Sequence, residues 1–97
     1  MKYIFEWDYK KAKTNITKHK ISFEDATTVF KDENMLSVYD ERHSEDEDRW
    51  ITIGMDLKTR TLVVIHTFIS IGTDTTNIRV ISARKATRKE QKIYWES

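Results

Sequence analysis

Apolar positions fall in short runs whose spacing switches from two to about 3.6 and back again. "YIFEW" (Tyr3 to Trp7) alternates and is rich in aromatics, which predicts a short first strand. Asp8 suits an N-cap, and a helix is predicted from about Tyr9 to His19. At about 100° per residue, Tyr9, Ala12, Ile16 and His19 share one face, the predicted buried one, with Lys11, Asn15 and Lys18 in a stripe beside it. "SFEDATTVF" predicts a second helix. Ser22 caps it, Asp25 completes an approximate capping box, and Phe23, Ala26, Thr27 and Phe30 repeat at helical spacing. The break "HKI" lacks a glycine, so a left-handed Lys20 there costs on the order of 1 kcal/mol.

Four strand candidates follow: "MLSVYD", "DRWITIGM", "TLVVIHTFI" and "TNIRVISAR". The short links "MDLKTR" and "SIGTDT" predict antiparallel neighbours. Leu62 to Ile65 is apolar on both faces, which places that run at the centre of the sheet. Thr87 and Glu90 form a T-x-x-E box that opens a closing helix, Arg88 to about Trp95. The order β-α-α-β-β-β-β-α predicts an α+β fold, with a mainly antiparallel sheet of about five strands and helices on one face. The 97 residues are expected to form one domain, 1–97.

Composition narrows the chemistry. The absence of Cys rules out disulfides, thiolate metal sites and thiol nucleophiles. No apolar run approaches the roughly 20 residues that span a bilayer. Glu6 and Asp8 interrupt any leader-like stretch at the N-terminus. A soluble, cytoplasmic protein without a membrane role is expected. The net charge of +1 hides strong segregation. Tyr9 to Lys20 carries five Lys and no acid, Asp40 to Asp48 carries six acids against one Arg, and Arg79 to Lys92 carries six basic residues against Glu90. Two basic blocks that meet in the fold would attract a polyanion; scattered solvent-facing lysines are the simpler alternative.

His19, His43 and His66 fall in no zinc-ligand spacing, and "DERHSEDED" lacks the oxygen order of a calcium loop. No Gly-rich phosphate loop and no G-x-S-x-G occurs. Neither a metal nor a cofactor is therefore expected. Cationic and imidazole chemistry on phosphate remains. RNA cleavage through the 2′-hydroxyl needs a base, an acid and cations that stabilise the phosphorane. His19 beside Lys18, and Arg84 beside Lys85, are suitable groups. Equally, His19 can complete the buried helix face and Arg84 can pair with a structural carboxylate.

Three segments resemble the BrnT family, the ribonuclease toxins of type II toxin–antitoxin pairs. The first pattern, D-x-x-K-x-x-x-N-x-x-K-H-x-[IV]-x-F-x-x-A, is carried by Asp8, Lys11, Asn15, Lys18, His19, Ile21, Phe23 and Ala26. "HSEDEDRW" is similar to the family's H-S-E-x-E-R-[FW]. "ISARKATRKEQKIY" is similar to its terminal signature, with Arg84, Ala86, Thr87, Glu90 and Tyr94 in place. Lys20 stands where many members have Gly, and Tyr9 where Pro is frequent. The resemblance implies a RelE-like fold and a metal-independent endoribonuclease that arrests translation. It also implies neutralisation by a BrnA-type antitoxin and contact with promoter DNA only through that complex. A non-catalytic nucleic-acid-binding module and a degenerate toxin kept as a binding partner are the competing readings.

The candidate catalytic residues are Arg84, for phosphorane stabilisation, His19, for proton transfer, and Lys85. Lys11, Lys18, Asn15 and Arg79 are the candidates for holding substrate. On a regular strand, Arg79 points with Lys85 and away from Arg84, so Arg84 and Lys85 cannot both face one groove. Arg84 ranks first because it lies within the family signature. Tyr94 and Trp95 are candidate apolar anchors for the antitoxin.

Overall fold

The computed structural model describes residues 2–97. The chain runs β1 (Lys2–Trp7), α1 (Tyr9–His19), α2 (Phe23–Thr27), β2 (Leu36–Tyr39), β3 (Trp50–Met55), β4 (Thr61–His66), β5 (Ile69–Ile71), β6 (Thr75–Lys85) and α3 (Arg88–Glu96), with 3-10 turns at Thr28–Lys31 and Glu41–His43. The helix starts follow local sequence chemistry. Asp8 accepts from the Lys11 N–H, Ser22 accepts from the Asp25 N–H, and Thr87 and Glu90 cap each other reciprocally. Lys20 does take the left-handed conformation, at φ 61°, and its N–H closes the helix on the Ile16 carbonyl.

The sheet corrects the expected architecture. It is mixed, with six strands in the order β1-β6-β4-β3-β2 and β5 paired to β6. β1 runs parallel to β6, while the other pairings are antiparallel. The predicted hairpins form, but β1 and β6 lie at opposite ends of the sequence, so no short loop dictates their relative direction. The long third run also divides at Thr67 and Phe68 into β4 and β5.

Near that division the β4–β6 register slips. Ile65 faces Ser82 and His66 faces Val80, which leaves Ile81 as an extra residue in β6. Such a bulge turns the following side chains over. Ile78, Val80 and Ala83 all face the core, although a regular strand would put Ala83 opposite the other two. Arg79 and Arg84 therefore share a face, and Lys85 points the other way. This reverses the regular-strand expectation.

The main core joins Ile21, Phe23, Ala26, Val29 and Phe30 to Leu62, Val64, Ile78, Val80 and Ala83, with Tyr3, Phe5 and Trp7 packed against it. Helix α1 contributes little apolar surface. Tyr9 is 72% exposed and Ile16 48%, and His19 is exposed as well. The buried positions of α1 are Ala12 and Asn15, which corrects the predicted helix face.

The reason is a hydrogen-bonding need. β1 pairs with β6 only as far as Val80, so the backbone beyond it lacks a neighbour on that edge. The Asn15 amide supplies one. Its Nδ2 donates to the Ala83 carbonyl (2.8 Å) and to the Ile21 carbonyl (2.9 Å), and its Oδ1 accepts from the Ala83 N–H (3.0 Å). A single side chain thus extends the sheet and ties α1 to it. Replacing Asn15 by Ala strands three buried backbone groups, which predicts a loss of about 2–3 kcal/mol in urea denaturation. Asn15→Asp, which accepts but cannot donate, should be at least as damaging.

His66 is fully buried and bridges strands as a neutral ring. Nδ1 donates to the Thr67 carbonyl at 2.8 Å. Nε2 therefore accepts from Thr52 Oγ1 at 2.6 Å, and Ser37 Oγ completes the chain at 2.7 Å. Burial is the main cause that pushes the ring below its ordinary value of 6.5. The unfolded chain then binds the proton more readily than the fold does, so stability falls as pH drops below about 6.5. His66→Gln should flatten that part of a stability–pH curve, above the range in which carboxylates titrate.

Candidate nucleic-acid interface

The cationic blocks meet along the far half of β6. Lys10, Lys11, Thr14, Lys18 and His19 of α1 border a cleft of about 340 Å³ floored by Ile81 and Ser82. The same Ile81 and Ser82 form part of a second groove of about 440 Å³. Its floor is completed by Ile51 and Ile65, and its rim holds Arg42, His43, Arg49 and Arg84. The bulge places Ile81 and Ser82 at this junction, and Asn15 holds α1 beside it. Lys11, Lys18, His19 and Arg84 are thereby brought to adjoining grooves.

Two of the predicted residues take other parts, although Asn15 itself lines the first cleft. Lys85 lines a separate pocket with Met55, Thr59, Arg60, Thr61, Gln91 and Trp95, because the strand parity turns it away from Arg84. Asn15 has both amide hydrogens and its oxygen committed to backbone, so it positions the helix instead of reaching for substrate. Arg79 lies on the groove side but is paired with Glu47.

Arg84 is not a free cation. Its two terminal nitrogens meet the two Glu90 oxygens at 2.8 and 2.9 Å in a bidentate fork. Glu90 Oε1 also accepts from the Thr87 N–H at 2.8 Å. One carboxylate thus caps α3 and orients the guanidinium at the strand end. The Arg84 guanidinium, foremost, holds the Glu90 carboxyl down at about 2, and Glu90 in turn raises the Arg84 value. The Arg84 side chain remains 42% exposed to the groove.

The acidic segment is also more ordered than a solvated loop. Tyr39 donates its hydroxyl to Asp48 at 2.8 Å. Glu47 pairs with Arg79 and lies 3.6 Å from Arg49 Nε. The hydrogen bond from Arg79 is the largest cause holding the Glu47 carboxyl below its ordinary value, with smaller help from Arg49 and Lys11. Ser44 fastens the turn, donating to the Asp40 carbonyl (2.5 Å) and accepting from the Arg49 N–H (3.0 Å).

His43, to which sequence reasoning gave no role, projects from this turn. Its Nδ1 lies 3.0 and 3.2 Å from the two oxygens of the buried Asp40. The signal in the sequence was the D-x-x-H spacing. It means little unless the segment is a 3-10 turn, where residues three apart eclipse each other.

A sequence model described as "Ribonuclease toxin, BrnT, of type II toxin-antitoxin system" matches residues 7–90. The chain belongs to the BrnT family. It is also similar to the crystal structure of the Brucella abortus ribonuclease toxin BrnT, with 26% identity and a TM-score of 0.57, over 91% of this chain and 100% of that one. No curated protein matches it. The BrnT match spans both cationic walls and closes on Glu90, the partner of Arg84.

The Arg84–Glu90 pair has a pH signature. The folded carboxyl, at about 2, lies below its ordinary 4.5, so the pair's contribution is present above about pH 4.5 and is lost as pH falls towards 2. Because both partners are partly exposed, it amounts to about 1 kcal/mol. Glu90→Gln should remove that slope from acid denaturation curves.

Proposed function

We propose that this BrnT-family chain is a metal-independent endoribonuclease that arrests translation. The observation that supports this reading is the pair of adjoining grooves, cationic on both walls and apolar on the floor. A single RNA strand laid across Ile81 and Ser82 would have phosphates facing Lys11 and Lys18 on one side and Arg84, Arg42 and Arg49 on the other. The isoleucine floor offers a flat apolar surface to a base.

The 2′-hydroxyl serves as nucleophile, and the cations offset the charge that builds on the phosphorane. Arg84 is the main stabilising group, aimed by Glu90. Lys11 and Lys18 position the strand, while Arg79, which lines neither groove and is engaged by Glu47, steadies the acidic segment beside them. His19 and His43 are the imidazoles within reach of the two grooves. No chemistry on RNA is assigned to Lys85, which lines another pocket, or to Asn15, whose amide is committed to backbone.

The reading extends to a single RelE-like domain in the cytoplasm. A BrnA-type antitoxin neutralises it, and promoter DNA is met only through that complex. Trp95, 66% exposed, and Ile93, 52% exposed, are the apolar positions on α3 open to such a partner, whereas Tyr94 is buried and donates its hydroxyl to Asp32.

With EDTA present, the purified protein should cleave RNA to leave 2′,3′-cyclic phosphate or 3′-phosphate ends. Recovery of 5′-phosphate ends, or an absolute need for Mg²⁺, contradicts the mechanism. Arg84→Ala should reduce kcat about a hundredfold or more, the scale of losing one preorganised transition-state donor. Glu90→Gln loosens the guanidinium's aim but keeps its charge, and should cost clearly less than Arg84→Ala. Equal loss in both variants would make Arg84 a strut for α3. RNA bound tightly and left intact would favour the non-catalytic module.

A further inference from the structure

We infer that His43, held by Asp40, is the general base that activates the 2′-hydroxyl, a role that rests on the ribonuclease reading above. The two adjoining grooves contain His19 and His43, and the two differ in support. His19 stands on the exposed face of α1. His43 has a buried carboxylate on one ring nitrogen, and its side chain is still 67% exposed. An imidazole that served packing would be buried, as His66 is. One that served only to cap the turn would not need a desolvated carboxylate behind it.

The geometry sets the tautomer. The neutral ring donates Nδ1–H to Asp40, so Nε2 carries the lone pair and is the nitrogen free to take a proton. Asp40 also stabilises the imidazolium that forms. Its own place is fixed by backbone, since its N–H donates to the Arg49 carbonyl at 2.9 Å and its carbonyl accepts from Ser44. The dyad therefore rests on a fastened turn at the rim of the groove that Arg42, Arg49 and Arg84 surround.

The step balances as follows. The 2′-oxygen bonds to phosphorus while its proton passes to His43 Nε2. The bond from phosphorus to the 5′-oxygen breaks, and that oxygen takes a proton from water. The resulting hydroxide removes the proton from His43. The products are a 2′,3′-cyclic phosphate and a 5′-hydroxyl. His43 is then a catalytic residue, and Asp40 a positioning one.

The test is kinetic, on a short RNA in EDTA with wild type, His43→Ala and Asp40→Asn. Loss of the base should lower kcat about a hundredfold or more. Affinity for the same sequence as a 2′-O-methyl oligonucleotide, which cannot be cleaved, should stay unchanged. Added imidazole should restore a large part of the His43→Ala rate, which a purely structural role would not allow. Asp40→Asn should lower kcat at least tenfold with KM preserved, and Asp40→Glu should recover part of it. If His43→Ala does not fold, His43→Gln, whose amide can still donate to Asp40, takes its place and should be inactive while folded. A folded His43 variant of normal rate overturns the assignment and leaves the ribonuclease reading standing. So does a loss that imidazole fails to repair. A wild type that cleaves no RNA overturns both.

Discussion

The hydrogen bonds between the Asn15 amide and the backbone of Ala83 decide where the two cationic blocks of this molecule meet. β6 is longer than the β1 strand beside it, and the stretch beyond Val80 has an open edge. A side-chain amide has the donor and acceptor of a peptide group, so Asn15 can substitute there for a missing strand. The outcome is that α1, which buries little apolar surface, is held against the sheet by polar contacts. The lysine stripe on its flank then borders the strand end that carries Arg84. Without that tie, the first basic block would have only Ala12 to anchor it.

The second constraint is charge regulation within the basic surface. Arg84 is tied to Glu90, and both Arg79 and Arg49 lie against Glu47. Each carboxylate lowers the local charge and fixes the guanidinium it meets. A planar, preoriented cation loses less freedom on meeting a phosphate than a free one does. Lys11 and Lys18 have the opposite character, mobile point charges on an exposed helix. On the proposed reading, the site would combine steering by lysines with placement by arginines, and the apolar floor between them would let a base approach without desolvating either.

The sequence disclosed what is set locally. Asp8, Ser22 and Thr87 mark the helix starts because a cap is decided within three residues, and the hairpins announce themselves through their short links. What stayed hidden depends on pairing between distant segments. Hydropathy treats Asn15 as an outward residue, and nothing near it reveals the open edge at Ala83, 68 residues on. The bulge at Ile81 comes from fitting β6 to both β4 and β5, and with it the faces of Arg79, Arg84 and Lys85 are fixed. His43 was passed over because its carboxylate partner becomes meaningful only when the segment coils into a 3-10 turn.

The account depends on the α1 lysines and the β6 arginine contacting one RNA strand together. The most direct measurement is the salt dependence of binding for a short 2′-O-methyl oligonucleotide, comparing wild type with Lys18→Ala and with Arg84→Ala. If both residues meet phosphates of that same strand, each substitution should reduce the slope of log affinity against log salt by about 0.7, the value for one single-strand phosphate contact. A slope that neither substitution changes would mean that the two walls do not share a strand, and the groove described here would not be the RNA site.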